Sequence, residues 1–272
     1  MSQYMFKDTI IDYERVGVGI PILFLHGWGM DRRIMSGCFE PIFQEFQDTR
    51  GLYSRIYIDL PGMGKSHAGP SIKNSDDILE ILHLFIKEVV CEKFILVGES
   101  YGGYLARGYI NQYPDMVKAI IMLWPLVYPG YQKGRIEPLK VMQRDDEFLQ
   151  TLSKEQYDSF TYMNVILTKP VWELYQKDIL PAIEEQDRHF LEEVLDGACS
   201  FDVDQLDAPY MNPCLTIVGK QDTEVGYKDQ FELMNQYPNA TYCAINKAGH
   251  NLQIEQPELF RNIVKQWLMD IK

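Results

Sequence analysis

Short segments in which nearly every residue is apolar punctuate the chain at Ile20–Leu25, Arg55–Asp59, Lys93–Val97, Lys118–Trp124, Cys214–Val218 and Thr241–Ile245. Each is bounded by Gly, Pro or Asp, and continuous rather than alternating hydrophobicity marks strands buried on both faces, as in a parallel sheet. Between several of them the apolar period becomes helical. One such stretch starts at Ser75, with Asp76 and Asp77 in its first turn, and repeats apolar residues at Ile78, Leu82, Phe85 and Val89. Tyr104–Gln112, Tyr227–Gln236 and Glu258–Ile271 carry the same signal. Thr9–Val16 alternates instead and predicts an antiparallel pair at the front of the sheet. Strand and helix in alternation predict an α/β fold: a central, mostly parallel sheet flanked by helices.

The rhythm breaks between residues 125 and 207. No convincing strand pattern occurs there, yet helical periodicity recurs at Leu139–Leu152, Glu155–Leu167, Val171–Asp178 and Arg188–Leu195. Prolines at 125, 129, 138, 170 and 181 punctuate the span, and Pro209 and Pro213 lead back into the next strand. The expected division is a core domain of residues 1–124 and 208–272, with 125–207 inserted as a helical cap over one end of the sheet.

Composition narrows the setting. The 272 residues are 46% hydrophobic and 24% charged, as in a soluble globular protein, which excludes a disordered chain. A net charge of −13 without a Lys or Arg run argues against a nucleic-acid partner, because neutralising phosphates needs clustered cations. The longest apolar stretch, Ala119–Tyr128, is about half of what spans a bilayer, so no membrane partner is expected. Met1–Thr9 holds no basic segment followed by a long apolar one, so no secretory signal is expected either. Cys38, Cys91, Cys199, Cys214 and Cys243 are scattered and odd in number, which fits free thiols in a reducing cytoplasm.

The chemistry concentrates at Gly98-Glu99-Ser100-Tyr101-Gly102, directly after the strand ending at Val97 and directly before a helix. G-x-S-x-G in that context is a nucleophile elbow: a sharp turn presents the Ser100 hydroxyl at the carboxyl end of the sheet, and flanking glycines remove Cβ atoms where strand and helix converge. A serine hydroxyl is a weak nucleophile and needs a base, which in turn needs an orienting carboxylate. His250, in the loop after the last strand, is the candidate base, and Asp222, after the strand Cys214–Val218, the candidate acid. Glu224 is the rival acid. No Asp or Glu occurs between Asp115 and Glu137, which excludes an acid after the preceding strand. His26-Gly27-Trp28-Gly29 follows the strand Ile20–Leu25, so the backbone N–H groups of Trp28 and Tyr101 are the candidate oxyanion donors, with His26 as a structural tie for the loop.

Taken together, His26–Gly29, the turn Asp59-Leu60-Pro61-Gly62-Met63-Gly64-Lys65-Ser66, the Ser100 elbow, Asp222 and His250 resemble the α/β-hydrolase superfamily in its serine-nucleophile branch. The resemblance spans almost the whole chain except residues 125–207. It implies the α/β-hydrolase fold with a helical cap, a structural role for Asp59–Ser66, and relatives among carboxylesterases, acyl-carrier methyl esterases, carbon–carbon bond hydrolases, prolyl aminopeptidases, haloperoxidases and hydroxynitrile lyases. Dehalogenases and epoxide hydrolases of that superfamily use an Asp nucleophile, which Ser100 argues against.

Other motifs fail on inspection. Gly64-Lys65-Ser66 lacks the leading glycine of a phosphate loop, since Asp59 stands there, and Ser100 breaks a dinucleotide G-x-G-x-x-G. The five histidines show no ligand spacing, so neither a metal nor a cofactor is expected. Tyr157, Phe160, Tyr162, Trp172 and Tyr175 are read as packing the insertion rather than lining an acyl pocket, and Glu173, Glu184 and Glu185 as a solvated face. The resulting expectation is a serine hydrolase cleaving a small or medium carboxylic ester, thioester or amide of a small-molecule substrate through an acyl-enzyme. The alternatives are an amidase or prolyl-aminopeptidase-like enzyme and, from another class, a non-catalytic small-ligand receptor on the same fold.

Overall fold

The protein is described as a computed structural model covering residues 2–45, 52–128, 136–195, 199–201, 203 and 206–271. β1 (Ser2–Phe6), β2 (Thr9–Val16) and β3 (Ile20–Leu25) lead into α1 (Arg32–Glu45) and β4 (Tyr53–Ile58). α2 (Ser75–Phe85) runs on into a π-helical turn, Ile86–Val90, before β5 (Phe94–Glu99), α3 (Tyr101–Gln112) and β6 (Val117–Leu123). Between residues 125 and 207 stand β7 (Gln143–Arg144), α4 (Asp146–Leu149), α5 (Lys154–Thr161), β8 (Ile166–Leu167), α6 (Lys169–Asp178), α7 (Leu180–Glu185) and a π-helical turn, Phe190–Val194. The chain then returns through β9 (Cys214–Gly219), α8 (Lys228–Glu232), β10 (Ala240–Ile245), α9 (Leu252–Glu255) and α10 (Pro257–Asp270).

Eight strands form one sheet in the order β1-β2-β4-β3-β5-β6-β9-β10. β1 with β2 and β2 with β4 are antiparallel, and every other pairing is parallel. Each residue of β4, β5 and β9 is buried, as expected for strands covered on both faces. Alternate residues serve opposite cores: Ile22 and Phe24 pack with Phe39 of α1 and Phe260 of α10, while Leu23 and Leu25 pack with Leu82 of α2 and Leu105 of α3.

A buried ion cluster fixes the front of the sheet. Arg32 pairs with Asp12 and, at 2.8 Å, with Asp59. Asp59 also accepts the N–H groups of Arg32 and Lys65, both at 2.9 Å, while the Ser66 hydroxyl donates to the Asp59 carbonyl at 2.6 Å. The Asp59–Ser66 turn is thus self-bonded around one carboxylate, which accounts for its composition.

Several elements differ from the sequence expectation. α1 carries a buried face of Ile34, Met35, Cys38, Phe39, Ile42 and Phe43, but Gly37 and Pro41 interrupt its helical signal. The partner of Thr9–Val16 is Ser2–Phe6, too short to show alternation. The helix expected over Leu139–Leu152 is only the turn Asp146–Leu149, and the one over Glu155–Leu167 ends at Thr161. Ile166–Leu167 instead pairs in parallel with Gln143–Arg144, so this region does hold a sheet, of strands too short for any period.

Candidate active site

β5 and α3 meet at Ser100 with no intervening loop, and Ser100 takes the conformation φ 50°, ψ −112°. A non-glycine residue there costs on the order of 1–3 kcal/mol and persists only when its surroundings enforce it. Here they do: the Ser100 N–H donates to the Leu123 carbonyl at 3.0 Å, and its carbonyl accepts the Gly103 and Leu126 N–H groups at 3.0 Å. The elbow also needs glycine, since a Cβ on Gly102 would lie 2.3 Å from the Leu25 carbonyl oxygen.

The loops after β9 and β10 bring Asp222 and His250 to the same end of the sheet. His250 Nε2 lies 3.1 Å from Ser100 Oγ, and Nδ1 lies 2.9 Å from Asp222 Oδ2. The other Asp222 oxygen accepts the Glu224 N–H at 2.8 Å and the Val225 N–H at 3.0 Å, so a buried carboxylate is held in one orientation. Glu224 contributes only charge at a distance; the hydrogen bond to His250 goes to Asp222. Burial disfavours the charged imidazole, but Asp222, with Glu99 and Glu224 beyond it, outweighs burial and pushes the His250 pKa up to about 9.

Gly27 and Trp28 border the same cavity as Ser100 and His250. The Trp28 indole packs edge-on against the Tyr101 ring with centroids 5.2 Å apart, and the Tyr101 hydroxyl lies 2.8 Å from Ser75 Oγ. The Tyr101 N–H belongs to the first turn of α3, which has no intrahelical acceptor. His26 is fully buried and kept neutral by burial. Its Nε2 accepts the Leu60 N–H at 2.9 Å, which assigns the proton to Nδ1 and makes that atom the donor to the Gly27 carbonyl at 2.8 Å. His26 therefore ties the Gly27–Gly29 loop to the Asp59–Ser66 turn.

Three residues at the site escaped the sequence reading. Glu99 is a buried carboxyl beside His250, whose pKa burial pushes up, and its Oε1 accepts the Trp124 indole N–H at 2.7 Å. Trp124 directly follows β6 and has a left-handed φ of 32°. Glu255 lies behind the His250 loop in α9. A charged residue amid an apolar strand end was the available signal for Glu99; Trp124 and Glu255 had none, because burial is not visible in one-dimensional spacing.

The cavity over Ser100 holds about 310 Å³ and is walled by apolar side chains, among them Met30, Ile34, Leu126, Ile179, Ile183 and Val225. Its acidic wall residues are Glu99 and Glu224. Among the described residues, no group of three or more His, Cys, Asp or Glu could hold a metal ion, and no helix is long and apolar enough to cross a membrane.

Known proteins share this fold. The family profile for the alpha/beta hydrolase fold matches residues 20–257. An alpha/beta superfamily hydrolase from Oenococcus oeni PSU-1 superposes with a TM-score of 0.86 at 31% identity, over 100% of this chain and 99% of that one. The chain belongs to the α/β-hydrolase fold family. It is 24% identical to the pimeloyl-acyl-carrier-protein methyl ester esterase of Aeromonas hydrophila, over 95% of this chain and 99% of the relative. The enzyme of the same description from Pseudoalteromonas atlantica is 29% identical over 150 residues, a match that spans 54% of this chain and 54% of that relative, about half the length of each.

Proposed function

We propose that the protein is an enzyme, an esterase-like serine hydrolase that cleaves a small or medium carboxylic ester through an acyl-enzyme. The observation that carries this reading is the unbroken chain from Ser100 Oγ to His250 Nε2 at 3.1 Å and from His250 Nδ1 to Asp222 Oδ2 at 2.9 Å. Kinship with methyl ester esterases favours esters over amides.

In this mechanism His250 takes the Ser100 proton as Oγ attacks the ester carbonyl, and Asp222 holds the imidazole tautomer and stabilises the cation that forms. The tetrahedral oxyanion is held by the N–H groups of Trp28 and Tyr101, a contribution of about 3 kcal/mol for each donor. His250 then hands the proton to the departing alkoxide, and a water deprotonated by the same imidazole releases the acid. Residues 125–207 serve as the cap: they contribute Leu126, Met163, Tyr175, Ile179 and Ile183 to the cavity and so set acyl size, with Tyr175, against the sequence expectation, bordering the cavity as well as packing on Phe160. A cavity of about 310 Å³ lies at the small end of the range for small-molecule sites, which favours a small or medium ester. The five free thiols support a reducing, cytoplasmic setting.

The test is hydrolysis of p-nitrophenyl esters of increasing acyl length. Wild type is expected to turn over the shorter esters, with kcat/KM falling steeply once the chain outgrows the cavity, and Ser100→Ala is expected to abolish turnover. A wild type inert toward the whole series, yet thermally stabilised by such esters, would instead mark a non-catalytic receptor.

A further inference from the structure

Glu255 is a buried carboxyl that no step of the proposed reaction uses, and it joins two parts of the chain that meet only in the folded protein. Its Oε2 accepts the N–H of Gly249, the residue before His250, at 2.5 Å. Its Oε1 accepts the N–H groups of Val165 at 2.5 Å and Ile166 at 3.3 Å, where the inserted region enters β8. A second bridge runs beside it: Asn251 Nδ2 donates to Asn164 Oδ1 at 3.0 Å, and Asn164 Nδ2 donates to the Phe160 carbonyl at 2.7 Å. Both asparagines are buried. The two segments are in close contact, since a Cβ on Gly249 would lie 2.9 Å from the Met163 carbonyl oxygen.

Residues 160–166 and 249–251 therefore form one hydrogen-bonded unit centred on the Glu255 carboxyl, and Met163, His250 and Asn251 of that unit all border the cavity over Ser100. Hydrogen bonds to an ionised acceptor are about twice as strong as neutral ones, and burial shields them from water. Burial pushes the Glu255 pKa up to about 7, with Asp222 acting in the same direction, against the three N–H donors that favour the charge.

We propose that Glu255 is a positioning residue: by anchoring the His250 loop to residues 163–166, it fixes the imidazole at hydrogen-bonding distance from Ser100. This inference rests on the esterase reading. It makes the 163–166 edge of the insertion part of the catalytic frame, so any opening for substrate falls elsewhere on the rim. A base displaced by about 1 Å loses on the order of 10²-fold in rate, and the expected signature follows from that.

Glu255→Gln puts an amide NH2 where either the Gly249 N–H or the Val165 and Ile166 N–H groups need an acceptor. It is expected to lower kcat on a short p-nitrophenyl ester about 10- to 100-fold while KM changes less than about twofold. In a His250→Ala background the same substitution is expected to leave the residual rate unchanged, because there is no imidazole left to place. Asn164→Ala removes the second bridge and is expected to lower kcat by a smaller factor, with KM again held; it decides the matter should Glu255→Gln fail to fold. Folded Glu255→Gln with wild-type kcat, or an equal loss with and without His250, would overturn the positioning role while wild-type turnover stands. A wild type that hydrolyses no ester overturns the esterase reading itself, and the positioning role with it.

Discussion

Asp222 Oδ2 and His250 Nδ1 meet at 2.9 Å although 28 residues separate them, and the second Asp222 oxygen is fixed by two backbone N–H groups of its own turn. The pairing sets both the tautomer and the proton affinity of the imidazole.

Activity should rise with pH through the His250 ionisation. The proposed reaction needs neutral His250, and the pairing with Asp222 pushes its pKa up to about 9. The acid limb of kcat/KM for the free enzyme is therefore expected to be half-maximal near pH 9. Asp222→Asn removes the charge that raises the pKa and frees the tautomer, so the limb is expected to move to lower pH while kcat falls by about 10⁴-fold. A pH–rate profile of both proteins checks this.

The same ionisation is linked to stability. Folded His250 keeps its proton up to about pH 9, against 6.5 for an ordinary imidazole, so its stabilising contribution is complete below pH 6.5 and lost as pH rises through 9. Thermal unfolding of wild type is expected to shift downward across that window relative to His250→Gln. Equal pH dependence in the two proteins would contradict it.

Arg32 bridges Asp12 and Asp59 where all three side chains are nearly buried. Arg32→Ala leaves two buried carboxylates without their countercharge, and is expected to cost about 3–5 kcal/mol in denaturant unfolding. Adding Asp12→Asn and Asp59→Asn should restore part of it, since the penalty is the uncompensated charge.

His26→Ala leaves the Leu60 N–H and the Gly27 carbonyl without their shared partner. The Gly27 carbonyl keeps the Met30 N–H at 3.3 Å, so the stability loss is expected to be about 1–3 kcal/mol, for the Leu60 N–H left unpaired. Because the loop carrying Trp28 is then free to shift, kcat is expected to fall by up to about 10²–10³-fold, the scale of one lost oxyanion donor. Steady-state kinetics of the folded variant tests this.

Much of the frame was legible in one dimension because its signals are local. β3 to β6 and β9 are buried on both faces and so read as apolar runs, whereas β10, at the sheet edge, is buried only at Ile245 and reads as apolar without being covered on both faces; the Ser100 elbow announces itself because strand, serine and helix are contiguous. Asp222 and His250 were legible through their places after β9 and β10. Residues 125–207 resisted: the two-residue strands β7 and β8 are shorter than any periodicity, and their pairing spans the α4 and α5 segments. Glu99 offered only its place at an apolar strand end and Glu255 offered nothing, since what distinguishes them is burial against Trp124 in one case and against the N–H groups of Gly249, Val165 and Ile166 in the other.

The most direct test of the central claim is covalent. Wild-type protein treated with a fluorophosphonate is expected to gain the mass of one phosphonyl group, mapped by peptide sequencing to Ser100, while His250→Ala reacts slower by orders of magnitude and Ser100→Ala does not react. An unmodified wild type, or an adduct on any residue other than Ser100, would contradict the account.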